Sequence, residues 1–320
     1  MAVRKVEQEI ERLGALREAP EADAVPALAK ALGDRVNLIV AKAAAIAGER
    51  RLGELVPELL RAFSRLFEHG AQRDPQCWGK HAIARALVAL DHRESATYLR
   101  GLLHIQMEPA WGGRADTAAN LRGTCVLALA ACSDIPREDA LRAMVDALAD
   151  SSDLVRAEAV RAIAQMPGEE GFLLLRLKAR LGDKALQVTG QAFDGVLALE
   201  GESAVPFVAG FLNHADEALS AEAALSLGSS RLAGAVEALI AFQEAVRDPE
   251  RRQAALRALA VSRSERALDL LLGLVRDGSD ADARSAIEAL SVLRASAEIR
   301  SRVAAAAEGR HPEVRRALDW

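Results

Sequence analysis

Aromatic residues and threonine are scarce in this sequence. Phe, Trp and Tyr make up 3% of the 320 residues, with a single Tyr, and Thr occurs four times. β-Sandwiches and β-barrels draw on aromatic and β-branched residues, so this composition argues against both. Alanine, leucine, glutamate and arginine dominate instead, and all four are strong helix formers. The composition therefore predicts an all-α protein.

The sequence also has few cysteines, no excess of basic residues and no long apolar run. Cys77, Cys125 and Cys132 are too few for a disulfide framework and odd in number; we interpret Cys125 and Cys132 as core thiols. The formal net charge of −5 makes a nucleic-acid partner unlikely, since such a partner needs a basic surface. No run approaches about 20 apolar residues and the first residues form no signal-peptide core, so we expect no membrane contact and a cytoplasmic protein.

What the sequence does contain is a repeat. The clearest unit runs from Asp139 to Met166 and holds two apolar-periodic stretches separated by the residues DSSD. Each stretch predicts one amphipathic helix of about three turns. The predicted buried residues of this pair are Leu141, Met144, Val145, Leu148, Val155, Ala159, Ala162 and Ile163.

The second helix of the unit recurs along the chain. The position held by Arg156 recurs every 31–42 residues, as Val40, Lys80, Arg122, Arg156, Thr189, Ser220, Arg252, Ala283 and Arg315. This spacing predicts about nine helix pairs, each too small to bury its own apolar face, that stack into one continuous core. We interpret the arginines at this recurring position as partners of turn carboxylates such as Asp116 and Asp150.

A turn aspartate, Asp150, followed by the pattern from Val155 to Ile163 resembles the HEAT-repeat family in its short bacterial form, also called the phycobilisome-lyase type. The resemblance implies a right-handed α-solenoid that forms a single domain over residues 1–320. Residues 1–18 are predicted to form a capping helix, and Trp320 to cover the opposite end. Proteins of this kind serve as scaffolds, as adaptors and in a few cases as enzymes.

Two adjacent repeats are longer than the others. Their extra residues lie between the two helices of a pair, at 68–79 and at 104–120. Equivalent turns of neighbouring repeats project from one edge of a solenoid, so we expect the two insertions to lie side by side. Two interpretations stay open for their tryptophans: they anchor the insertions on helix ends, or they line a site for a partner or a small molecule. The candidate contact residues are His69, Trp78, His104, Met107 and Trp111.

The insertions also hold residues that could bind metal or act as nucleophiles. His69, Cys77, His81 and His104 have no spacing typical of a metal site, and no nucleophile elbow supports a Cys77–His81 pair. The chain resembles deoxyhypusine hydroxylase in length and repeat number, but the His-Glu dipeptides that bind iron in that family are absent. We therefore predict no catalytic residue, no metal and no cofactor.

The remaining prediction concerns the helix face that lines the inside of the stack. The side chains expected there carry mixed charges, which argues against the HEAT-like DNA glycosylases; nothing in the sequence points to the tetrapyrrole of the bilin lyases. We predict a non-enzymatic scaffold that binds a protein partner, with an enzyme or ligand-binding protein using the paired insertions as the alternative. The predicted contacts on this face are Arg85, Glu158, Arg161, Gln191, Asp194, Glu222, Arg257 and Glu288.

Overall fold

The computed structural model describes residues 2–318, so the predicted position of Trp320 lies outside the described residues. The fold is an all-α helical repeat, as the sequence predicts, with one small β-hairpin added. Its internal contacts divide the chain into two compact units, an N-terminal unit that ends at Met166 and a C-terminal unit that begins at Pro167.

The N-terminal unit consists of ten helices and the hairpin within the described residues. In chain order its elements are α1 (Ala2–Ala15), α2 (Glu21–Leu32), α3 (Asn37–Glu49), α4 (Val56–Phe67), α5 (Gly70–Arg73), α6 (Trp78–Ala89), α7 (Ser95–Leu102), β1 (Met107–Ala110), β2 (Gly113–Asp116), α8 (Ala119–Leu129), α9 (Arg137–Leu148) and α10 (Asp153–Ala164). Helix α1, in the predicted capping segment, packs against α3.

The C-terminal unit continues the alternation of first and second helices. Its helices are α11 (Glu169–Leu181), α12 (Leu186–Glu200), α13 (Val205–Ala209), α14 (Glu217–Ser230), α15 (Ala233–Ala245), α16 (Pro249–Ser262), α17 (Glu265–Asp277), α18 (Asp280–Leu290), α19 (Ala297–Ala306) and α20 (Pro312–Arg316).

The second helices of the pairs stack on one another and form an inner row in each unit. This row is α3, α6, α8 and α10 in the N-terminal unit, and α12, α14, α16 and α18 in the C-terminal unit. Small residues allow the close approach: a methyl group at Gly228 would lie 2.2 Å from the carbonyl oxygen of Ala258 on the next helix. The stack therefore depends on glycine and alanine where inner helices meet.

The predicted core of the clearest repeat is confirmed except at two positions of α9, Val145 and the half-buried Leu148. Val155 and Ile163 are fully buried, and so is Met144. Val145 is 40% exposed, because the buried face of α9 follows Leu141, Met144 and neighbouring alanines, and a helix turns Val145 about 100° away from Met144.

The insertion at 104–120 contains a structure that composition did not predict. Strands β1 and β2 pair antiparallel, with Met107 opposite Asp116 and Ala110 opposite Gly113. Gly112 adopts a positive φ of 86° in the connecting turn, a conformation that glycine reaches without steric cost. The second insertion is therefore a β-hairpin between α7 and α8.

One helical stretch, Leu186–Asn213, is long and apolar enough to cross a membrane by length and composition alone. The backbone turns at Gly201, whose φ is 61°, and this glycine lies between Glu200 and Glu202. In the most apolar 18-residue window of Leu186–Asn213, 44% is buried inside the protein. Buried core helices can be as long and as apolar as this stretch.

Candidate functional site

The two insertions of the N-terminal unit contact each other, which confirms the prediction that they are neighbours. The backbone N–H of Gln76 in the first insertion donates to Oε1 of Glu108 in β1 (2.8 Å). The side-chain amide of Gln106 in the second insertion donates to the carbonyl of Asp74 in the first (2.8 Å). The two segments therefore form one ordered structure, which we call the insertion platform (residues 68–79 and 104–120).

A buried ion pair lies at the centre of the insertion platform. The Lys80 ammonium is 3.0 Å from the Asp74 carboxylate, and neither side chain is exposed. Asp74 also accepts hydrogen bonds from the backbone N–H groups of Gly79 and Lys80, so it caps the first turn of α6. The side-chain amide of Asn37 donates to the same carboxylate (2.9 Å). Because both charges are paired and hydrogen-bonded, burial does not leave either one uncompensated.

Glu108 connects the hairpin to this centre. Its Oε1 accepts from Gln76, from the side-chain amide of Gln106 (2.6 Å) and from the Thr117 hydroxyl (2.6 Å). Burial on its own raises the pKa of Glu108, but these donors and the nearby Lys80 charge outweigh it and lower the pKa. The ionised carboxylate is therefore a structural part of the platform.

Arg122 joins the end of the hairpin to the next turn of the stack. This nearly buried guanidinium lies 2.6 Å from the Asp116 carboxylate and 2.8 Å from that of Asp150. The prediction that this arginine binds turn carboxylates is confirmed, whereas Arg252 in the C-terminal unit pairs with Asp282 in the first turn of α18.

Large apolar residues at and beside the hairpin are exposed. Side chains alternate along β1, so Gln106 and Glu108 point inward while the odd-numbered residues point outward. Leu103 after α7, Ile105 before β1 and Met107 in β1 are 80%, 67% and 41% exposed, and Trp111 in the turn of the hairpin is fully exposed. We call these four residues the hairpin face.

The tryptophans of the two insertions are both exposed. Trp111 occupies the tip of the hairpin and is fully exposed, so it neither anchors the insertion on helix ends nor lines a groove. Trp78 begins α6 and is 49% exposed. Of the two interpretations, anchoring of the insertion on helix ends is therefore wrong for Trp111.

The backbone edge of β1 is blocked for strand addition. Within the described residues β1 pairs with β2 alone. On its other edge Pro109 has no N–H to donate, and the Arg114 guanidinium donates to the carbonyl of Met107 (2.7 Å). Proline and a capped carbonyl are typical of edges that resist pairing with another strand.

A groove of about 600 Å³ crosses α6, α8 and α10 beside the insertion platform. Three of the predicted contact residues, Arg85, Glu158 and Arg161, line it. Arg161 donates to Glu158 Oε1 (3.0 Å). Neither tryptophan lines this groove, whose further walls include His81, Val88, Asn120, Thr124, Leu127, Leu154 and Gln165.

The other predicted contacts lie on the inner row of the C-terminal unit. Desolvation raises the pKa of Asp194 on α12 and that of Glu222 on α14, and the Asp194 charge raises the latter further. Arg257 and Glu288 form an exposed ion pair, and Gln191 lies on α12. All five residues therefore lie on inner-row helices, and the pairing of Arg257 with Glu288 was not part of the prediction.

His69 and His104 differ in their surroundings. His69 is exposed and its φ of 63° is left-handed. The His104 ring packs edge-on against Phe67 and is 3.1 Å from the amide oxygen of Gln106, and burial lowers its pKa. His104 thus supports the base of the hairpin.

The residues that suggested chemistry are not arranged for it. Burial raises the pKa of the Cys77 thiol to about 12, and burial lowers the pKa of His81. A thiol nucleophile needs the opposite shift, towards a thiolate at neutral pH. Among residues 2–318 no group of three or more His, Cys, Asp or Glu side chains could hold a metal ion.

Comparison with known proteins agrees with the repeat. Residues 204–291 match the family model of HEAT repeats. The chain contains HEAT repeats. None of the curated proteins matches this HEAT-repeat chain.

Among solved structures it is similar to human deoxyhypusine hydroxylase in complex with glycerol, with 18% identity over 82% of this chain and 98% of that one and a TM-score of 0.31. It is also similar to an engineered protein, with 16% identity over 97% and 92% of the two chains and a TM-score of 0.36. At these TM-scores neither structure bears on the function of this chain.

Several residues that build the site were not foreseen. No spacing or motif in the sequence singles out Asp74, Gln106 or Glu108. A signal was present, since apolar and polar residues alternate from Ile105 to Pro109, as in a strand. The alternation could not show that its polar side faces inward, because the buried cation, Lys80, belongs to another repeat.

Proposed function

We propose that this HEAT-repeat protein is a non-enzymatic scaffold that binds a protein partner through the hairpin face and the adjacent groove. The exposure of Trp111 on an ordered hairpin is the observation that carries the proposal. Soluble proteins expose contiguous large apolar residues chiefly where another molecule covers them.

The insertion platform supports this proposal because it holds the hairpin in place before a partner arrives. Asp74, Lys80 and Glu108 hold the hairpin base through buried hydrogen bonds, so the hairpin face does not have to be ordered on binding. Such preorganisation lowers the entropic cost of association. A large aromatic residue in a fixed position is also the most frequent type of binding hot spot.

The groove offers the same partner a second, more polar contact. Arg85 and Arg161 provide guanidinium groups, and Val88, Leu127 and Leu154 provide apolar wall. A segment with an acidic side chain beside apolar residues suits this lining.

A small-molecule site in the groove is the second candidate function. Its volume lies within the range of ligand pockets, and Arg85 and Thr124 supply polar groups beside apolar wall. Buried side chains occupy the contact between the two insertions, so the groove suits a ligand better than the insertions themselves.

Photo-crosslinking tests the scaffold proposal. A photoreactive amino acid is placed at Trp111, at Arg85 or, as the control, at Val145, which is exposed on α9. We expect one protein adduct shared by positions 111 and 85 and absent at 145, and Met107→Asp should abolish the adduct at 111. If position 111 gives no adduct, or the same adducts as position 145, the proposal is wrong.

A further inference from the structure

Helix α11 carries a stripe of exposed leucines. Leu173, Leu177 and Leu181 are 61%, 55% and 75% exposed. Their spacing of four residues puts them on one side of the helix. The opposite side, with Leu175 and Ala179, is buried and packs on α12. We call the three exposed leucines the α11 stripe.

No other helix in the described part of the chain presents three exposed large apolar residues. Helix α9, for example, exposes Val145 alone. Single exposed apolar residues are normal on soluble proteins, whereas a contiguous stripe marks a contact surface.

We propose that the α11 stripe is a self-association surface, at which α11 of one copy packs antiparallel against α11 of a second copy. The stripe is symmetric about Leu177. In a two-fold pairing Leu177 meets its own counterpart, and Leu173 meets Leu181 of the second copy. An isologous contact of this kind is the commonest way in which soluble chains dimerise.

The charges at the two ends of the helix fit the same two-fold arrangement. Glu169 lies in the first turn of α11, and Lys184 follows its last turn; both are exposed. Antiparallel packing brings Glu169 of one copy towards the end that carries Lys184 in the second copy. A parallel arrangement would instead bring like charges together, so the charge pattern favours the antiparallel one.

One helix face is smaller than a standard interface, so we expect a weak dimer with a dissociation constant on the order of micromolar. The α11 stripe belongs to the C-terminal unit, whereas the hairpin face and the groove belong to the N-terminal unit. The experiments on dimerisation and those on partner binding therefore test separate proposals, and either proposal can be wrong without the other.

Cysteine crosslinking of the full chain tests the geometry, in a Cys132→Ser background because Cys132 is the half-buried native thiol. Under mild oxidation Leu177→Cys should form a homodimer. Leu173→Cys and Leu181→Cys should each crosslink weakly alone and efficiently when mixed. Absence of a Leu177→Cys homodimer, or equal crosslinking of all three alone, would overturn the antiparallel pairing.

Sedimentation over a wide concentration range tests the association itself. The wild-type chain should form dimers, and Leu177→Glu should weaken the dimer by about tenfold or more without loss of helicity. The matched control Val145→Glu should leave dimerisation unchanged. Glu169→Lys should weaken the dimer, and adding Lys184→Glu should restore it. A wild-type chain that stays monomeric throughout would overturn the proposal.

Discussion

Two pairs of carboxylates in this protein have opposite environments. Glu108 and Asp116, in the insertion platform of the N-terminal unit, have lowered pKa values because donors and cations outweigh their desolvation. Asp194 and Glu222, on the inner row of the C-terminal unit, have raised pKa values because desolvation outweighs their partners.

The two pairs differ in how the ionised carboxylate affects the stability of the fold. Ionised Glu108 satisfies three donors and fixes the hairpin, so its charge stabilises the fold. Ionised Glu222 lies near another carboxylate, so its charge costs stability.

Removing Lys80 should have the largest effect on stability. Lys80→Ala leaves the buried Asp74 carboxylate without its cation, and breaking a buried pair from one side costs about 3–5 kcal/mol. Chemical denaturation measures this loss. The double variant Asp74→Asn with Lys80→Met should lose less than the sum of the two single variants, because neither charge is then left alone. Additive losses would show that the pair is not coupled.

Glu108→Gln should have an intermediate effect that depends on pH. At neutral pH the variant should lose about 1–3 kcal/mol, because an amide cannot accept all the hydrogen bonds of the carboxylate. Because the folded-state pKa lies below the ordinary 4.5, the wild-type advantage is complete well above that pH and is lost as the pH falls through the lower folded value.

Melting temperatures of both proteins, measured from pH 7 downward, should therefore converge in acid. Glu21→Gln, at an exposed acid on α2, is the control and should change little at any pH. A constant difference between Glu108→Gln and wild type would contradict the lowered pKa.

Glu222→Gln should have the smallest effect, with the opposite sign. Removal of the charge relieves desolvation and repulsion by Asp194, so the variant should gain about 0.5 kcal/mol at neutral pH. The folded pKa is raised, so wild type recovers stability as the pH falls through that value and the gain disappears below the ordinary 4.5. If Glu222→Gln were less stable than wild type at neutral pH, the Glu222 charge would stabilise the fold as the Glu108 charge does. That result would contradict the difference between the two acids.

The repeat helices could be predicted because their signal is local. Ile163 and Val155 recur on one face at helical spacing, and burial of that face follows from the period alone. The identity of the inner row followed in the same way, which is why Arg85, Glu158 and Arg161 line one groove. The pairing of Arg122 with Asp150 could be predicted because both belong to the repeat pattern.

The insertion platform could not be predicted because its partners are far apart in sequence. Glu108 is buried since Gln76, from the preceding repeat, lies opposite it. The two interpretations of Trp111 could not be separated from the sequence, because its surroundings depend on the direction of the hairpin, which no single segment specifies. The α11 stripe was missed because a helix in the middle of a repeat array is expected to have a polar outer face.

We propose above all that the insertion platform is a preformed support for a hairpin face that binds a partner. Trp111→Ala tests it most directly when melting temperature and partner retention are measured on the same preparation, with the partner identified by crosslinking at position 111. We predict an unchanged melting temperature and a loss of binding of about 2 kcal/mol or more, the scale of an aromatic hot spot. A lowered melting temperature with full retention of the partner would contradict the claim.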